Sequence, residues 1–179
     1  MLTTDNTLLL IVDVQGKLAQ LMVNRETLFA NLQRMVKGAL ALELPIVWAE
    51  QLPDKLGPTI TEISELLPDH QPIAKSSFSC CGCDQLMDAI RAKGRKQVLL
   101  TGIETHICVY QTARDLLEQG YQVEVIADAV GSRIAENREI GLRKMERAGA
   151  SIGCTEGVLF EMMRVAGHPA FRTIQGIVK

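Results

Sequence analysis

With 179 residues, 47% of them apolar, the chain is long enough to bury one substantial core, and a single domain over residues 1–179 is expected. Nineteen Lys and Arg against 21 Asp and Glu leave a net charge of −2, without the basic excess of a dedicated nucleic-acid binder. No apolar run approaches the roughly 18 residues of a spanning helix, and Asp5 interrupts the short N-terminal apolar stretch, so neither a membrane span nor an export signal is expected.

TLLLIVDV (7–14) is dense in branched aliphatics, as a strand covered on both faces would be. From about Arg25 to Leu44 the residues Leu28, Leu32, Met35, Ala39 and Leu42 recur on one helical face, with Asn24 as N-cap and Pro45 marking the end. PIVWAE is a second strand and PIAK (72–75) a short third. CDQLMDAIRAK is helical and stops at Gly94. QVLLT (97–101) is the fourth strand, followed by a helix from about His106 to Gln119 that stops at Gly120. QVEVIAD is the fifth strand, the segment from about Ala135 to Ala148 a helix, and ASIGC a sixth strand. A last helix runs from near Thr155 to about Val165, with His168-Pro169 closing it. This alternation predicts an α/β fold of three α/β/α layers, with a six-stranded, mostly parallel, Rossmann-like sheet and right-handed crossovers. DVQGKL follows the first strand where a dinucleotide-binding chain would carry G-x-G-x-x-G, so no cofactor is expected.

Ligands of open parallel sheets bind outside the carboxyl ends of the strands. There the first strand delivers Asp13, the third Lys75, and the fourth leads through GIET to Cys108. Singly, each has an ordinary use: an Asp caps a turn, a Lys points to solvent, and a Cys fills a core as a small hydrophobe. Together they form a chemically complete set. A carboxylate can take a thiol proton, an ammonium can stabilise the anion, and a helix start favours a thiolate.

LLLIVDVQ with Asp13 and Gln15, AKSSFS with Lys75, and LLTGIETHICVYQTA with Cys108 resemble the motifs of the isochorismatase-like hydrolases, in order and over nearly the whole chain. EQLPDKLGPT (50–59) and GVLFEMMRVAGHPAF (157–171) further resemble the isochorismatase-domain-containing subgroup. The resemblance implies an Asp13–Lys75–Cys108 catalytic triad and a cis peptide at Ile103–Glu104. It also implies an oxyanion hole made by the N–H groups of Glu104 and Cys108, and a homo-oligomer whose neighbours help close the pocket. The expected reaction is cleavage of an amide or carbamoyl C–N bond of a small molecule through an acyl-enzyme. Two alternatives stand beside it: vinyl-ether hydrolysis with Asp13 as general acid, and a catalytically silent binding or assembly module on the same fold.

Gln15, Gln51, Phe78 and Tyr110 are the expected substrate-binding residues; Glu50 is either a pocket wall or a structural hydrogen-bond partner. VWAEQLPDKLGPT lacks histidine, and His70, His106 and His168 are scattered, so no metal site is expected. His106 either touches substrate or caps its helix; Asp128 and Arg133 fit turn and helix-entry roles. Five cysteines, an odd number without an export signal, fit a reducing cytoplasm. Cys80 and Cys83 form a C-x-x-C with no second pair, read as reduced thiols or a redox pair.

Overall fold

Every one of the six residues of β1 (Thr7–Val12) is buried, and successive side chains supply different cores. The computed structural model describes all 179 residues. Its remaining strands are β2 (Ile46–Gln51), β3 (Ile73–Lys75), β4 (Gln97–Ile103), β5 (Gln122–Gly131) and β6 (Ser151–Gly153). They lie in the order β3-β2-β1-β4-β5-β6, every neighbouring pair parallel. The sheet winds outward from β1 through β2 and β3, then returns to β4 on the other side. The switch in strand order therefore falls between β1 and β4, where a crevice opens at the carboxyl ends.

Leu9 and Ile11 face a core shared with α2 (Arg25–Ala41), α8 (Thr155–Met163) and α9 (Phe171–Val178). Leu8, Leu10 and Val12 face the opposite core, under α5 (Asp84–Ala92), α6 (Tyr110–Glu118) and α7 (Ala135–Arg147). Burial of each such aliphatic side chain is worth about 1.5–3 kcal/mol. The three-layer α/β/α reading thus holds, with a wholly parallel sheet. No helix is long and apolar enough to cross a membrane.

Several boundaries differ from the sequence reading. Asn24 is left-handed (φ 53°) and makes no side-chain cap. α2 stops at Ala41, before Pro45, because Glu43 also turns left-handed and the Leu44 N–H donates back to the Ala39 carbonyl. β5 runs on to Gly131 because the β4–β5 register shifts between Leu100 and Gly102, which lets Val130 and Gly131 pair with Gly102 and Ile103. α8 stops at Met163, where Arg164 takes φ 66°. His168 does not close α8: its Nδ1 accepts the Ala170 N–H at 3.1 Å, at the entry to α9. α9, unforeseen, docks through buried Ile174 and an edge-to-face contact between Phe171 and Phe160. Three more short helices, α1 (Gly16–Gln20), α3 (Pro53–Leu56) and α4 (Thr61–Ser64), fold the loops beyond β1 and β2.

Candidate active site

Three adjacent strands end alike. β2 is followed by Leu52 (φ 39°), β1 by Asp13 (φ 58°) and β4 by Glu104 (φ 56°), all non-glycine residues in the left-handed region. Each costs on the order of 1–3 kcal/mol and persists only where its surroundings enforce it. Here the enforcing bonds come from neighbouring strands: the Asp13 N–H donates to the Ala49 carbonyl and the Leu52 N–H to the Lys75 carbonyl. Gly102 does the same work by absence. A Cβ there would stand 2.1 Å from the Val12 carbonyl oxygen, so only glycine lets β4 approach β1 just before Asp13. The Ile103–Glu104 peptide, expected to be cis, is trans; the left-handed Glu104 makes the turn instead.

Lys75, from the end of β3, reaches inward to Asp13. Its Nζ donates to Asp13 Oδ2 at 2.8 Å, Gln51 Oε1 at 2.6 Å, and the Ser77 and Phe78 carbonyls at 3.1 Å each. Four acceptors and no donor around one nitrogen are the surroundings of an ammonium. Asp13 is 3% exposed, and burial raises its carboxyl above the usual range, against the downward pull of Lys75. The second oxygen, Oδ1, is buried without a complete hydrogen bond. The Cys108 thiol lies close enough to Asp13 for each group to shift the other.

Cys108 sits in a π-helical turn, Thr105–Val109, that leads into α6. The chain reaches it after the Glu104 turn, and Gly141 of α7 packs on the backbone of Thr105 and His106, where a Cβ would stand 2.9 Å from three atoms. Burial, then the negative field of Asp13, push the thiol well above its ordinary value, and Lys75 offsets only part of this. The sulfur thus lies beside a carboxylate that can accept its proton.

A cavity of about 160 Å³ is lined by Asp13, Gln51 and Cys108, by apolar walls, and by Glu104 and Arg133. Larger hollows lie elsewhere on the surface, but none includes Asp13, Lys75 or Cys108. Of the expected substrate-binding residues, Gln51 and Phe78 line the cavity. Gln15 does not. Its Nε2 donates to the Gln51 and Gly57 carbonyls and its Oε1 accepts the Gln51 N–H, so it holds β2 to the following loop. Tyr110 also lies elsewhere, its ring under Lys144 at 3.9 Å. Glu50 is structural: Oε1 accepts from both Thr59 N–H and Thr59 Oγ1 at 2.7 Å.

Leu18, Leu56, Ile103 and Ile107 complete the walls, and sequence spacing alone gave no signal for them. Arg133, read as a turn residue, reaches back from the end of β5 to place Nε 2.6 Å from Glu104 Oε1. His106 Nδ1 lies 3.2 Å from Ser132 Oγ and 3.4 Å from Glu104 Oε2. Asp128 accepts the Thr155 N–H and hydroxyl, fixing the start of α8. All five cysteines are free thiols; Cys80 is fully buried and pushed up to about 12, while Cys83 is half-buried. No group of three or more His, Cys, Asp or Glu side chains converges as metal ligands.

Residues 7–157 match the family model of the isochorismatase domain. Isochorismatase domain-containing protein 2 of Bos taurus is 37% identical over 175 residues, covering 97% of this chain and 83% of the bovine one. Among solved structures, the MAR1 ribonuclease of Caenorhabditis elegans superposes with a TM-score of 0.93 at 32% identity, covering 99% of this chain and 91% of its own. YcaC of Pseudomonas aeruginosa, solved with hexane-2,5-diol and covalent acrylamide, gives 0.92 at 26% identity, with 98% and 90% covered.

Proposed function

The chain belongs to the isochorismatase domain family, and from that premise we propose that it is a hydrolase opening a C–N bond of a small amide-like molecule through Cys108. The observation that carries this reading is that Asp13 and Cys108 line one cavity while Lys75 bonds one oxygen of Asp13, with the second oxygen left for the thiol proton. Asp13 takes that proton as the sulfur attacks the carbonyl carbon, so charge never rests on an isolated thiolate. Lys75 holds Asp13 in place and balances the negative charge. The N–H groups of Glu104 and Cys108 receive the tetrahedral oxyanion, each such donor being typically worth about 3–4 kcal/mol in the transition state. Asp13 returns its proton to the leaving amine. Water then replaces the amine, is deprotonated by the same carboxylate, and cleaves the thioester.

The P. aeruginosa neighbour carries covalent acrylamide, which supports a fold that accepts small electrophilic amides. The C. elegans neighbour is a ribonuclease. Polynucleotide binding calls for a row of free cations along a groove; here Arg133 is the single cationic side chain lining the cavity, and it is paired with Glu104. That balance favours a small molecule. One observation favours vinyl-ether hydrolysis instead: burial raises the Asp13 carboxyl, as a proton donor requires. Lys75, bonded to that carboxylate, works against it.

Assembly belongs to the same reading. Leu21, Val23 and Ile134 are exposed apolar residues, and the Val23 N–H bonds the Ser132 carbonyl, which joins their two segments; this supports self-association through that surface. Sedimentation of wild type against Val23→Glu tests it, with a smaller species expected for the variant. For the reaction itself, steady-state turnover of amide, carbamoyl and vinyl-ether substrates by Cys108→Ala and Asp13→Asn decides. Loss of amide turnover in both variants supports the thiol route. Vinyl-ether cleavage that survives Cys108→Ala and fails in Asp13→Asn supports the other.

A further inference from the structure

Most of the cavity's polar groups are bonded to one another, Asp13 Oδ1 and Glu104 Oε2 being the exceptions. Gln51 Nε2 donates to the Ser76 carbonyl at 2.8 Å, and its Oε1 accepts from Lys75 Nζ at 2.6 Å. Lys75 is enclosed by four acceptors, and Arg133 Nε is held by Glu104. Away from the reacting groups, the surface left for a ligand is almost wholly hydrocarbon, from Leu18, Leu56, Phe78, Ile103 and Ile107. Its volume of about 160 Å³ is far below the roughly 300–1,000 Å³ of sites for drug-sized ligands.

We infer that the substrates are short, uncharged aliphatic primary amides whose acyl chain fills this hydrocarbon pocket. The inference rests on the thiol-hydrolase reading above and assigns its substrate class. A ligand carboxylate placed here would lose its hydration and would face the buried acids Asp13 and Glu104, and the only lining cation, Arg133, already shares its charge with Glu104 through Nε. A ligand ammonium would have to leave water for apolar walls. An alkyl chain loses nothing on entry and gains contact with five apolar side chains. In the reaction the sulfur forms a thioester with the acyl carbon while the C–N bond breaks and ammonia departs with the thiol proton. Water then splits the thioester into a carboxylic acid and the restored thiol.

The test is a homologous series of primary amides, from acetamide to hexanamide, with succinamate and 4-aminobutanamide as charged counterparts. Ammonia release by wild type is measured, together with binding of each compound to Cys108→Ala. Activity (kcat/KM) is expected to climb roughly tenfold or more per added methylene until the pocket is full, then fall. The charged compounds should run at least a hundredfold below their uncharged isosteres. Leu56→Ala should move the optimum to a longer chain, because it removes a wall. If Cys108→Ala binds the series in this graded order but wild type hydrolyses none of it, the ligand class stands and the thiol reaction falls. Charged amides equal to or better than the neutral series would overturn the inference, as would a series that neither binds nor reacts.

Discussion

Lys75 Nζ lies 2.8 Å from Asp13 Oδ2, and the two side chains are 0% and 4% exposed. Such a pair is dispensable as a unit but not by halves, since removing one partner leaves an uncompensated buried charge. Lys75→Met should therefore cost about 3–5 kcal/mol at neutral pH, measured by denaturant unfolding. The sign of the pH dependence follows from Asp13. Its carboxyl is already raised above 3.8 by burial, and losing Lys75 raises it further. A group raised in the folded state supports stability below its unfolded value and loses that support as pH rises through the folded one. The gap between variant and wild type should thus narrow toward acid, closing below about pH 3.8. A gap that widens on acidification would contradict this pairing.

In the proposed mechanism Asp13 accepts the Cys108 proton, while its charge disfavours the thiolate, so its removal should separate thiol acidity from activity. Asp13→Asn is expected to lower the Cys108 thiol from its raised value while turnover falls by two orders of magnitude or more. Ultraviolet titration of thiolate absorbance, taken as the difference from Cys108→Ala, checks the first part. Lys75→Met should move the thiol the other way, because Lys75 lowers it. A thiol that becomes less acidic in Asp13→Asn would show that the two groups do not face each other.

Glu50, Thr59 and Trp48 form a buried chain in which Trp48 Nε1 donates to Thr59 Oγ1 at 2.7 Å and the Thr59 hydroxyl donates to Glu50. Glu50→Ala leaves the Thr59 N–H and hydroxyl without an acceptor, and should cost about 2–4 kcal/mol with a change in Trp48 fluorescence. Glu50→Gln keeps one acceptor and should cost about half as much. A large rise in KM with unchanged stability would place Glu50 at the substrate instead.

Gly102→Ala tests how closely β4 must approach β1. The glycine has φ +133°, and a Cβ would meet the Val12 carbonyl oxygen at 2.1 Å, a backbone atom that cannot swing aside. A loss of about 3 kcal/mol or more is expected, with a further loss of activity, because Val12 leads directly into Asp13. Thermal unfolding within a degree or two of wild type would rule this packing out.

The sheet was legible because each strand is a short apolar run stopped by Gly, Pro or a polar turn. Asp13, Lys75 and Cys108 could be singled out because they stand at or just beyond the ends of strands in recognisable motifs. What escaped was set by tertiary contact. Gln15 and Tyr110 sit close in sequence to Asp13 and Cys108, yet Gln15 is turned to the β2 loop and Tyr110 to Lys144. Arg133 looked like a turn residue because its partner, Glu104, is 29 positions away. Burial and the field of Asp13, which both raise the Cys108 thiol, are likewise not reported by a local motif at a helix start.

The central claim is that the sulfur of Cys108 becomes covalently acylated during turnover. Rapid acid quench of wild type with a hydrolysable primary amide, followed by peptide mass analysis, measures it directly. The account predicts an added acyl mass on the peptide containing Cys108, absent from Cys108→Ala, which should also fail to release ammonia. Ammonia release by Cys108→Ala at the wild-type rate, with no acyl mass on any peptide, would contradict it.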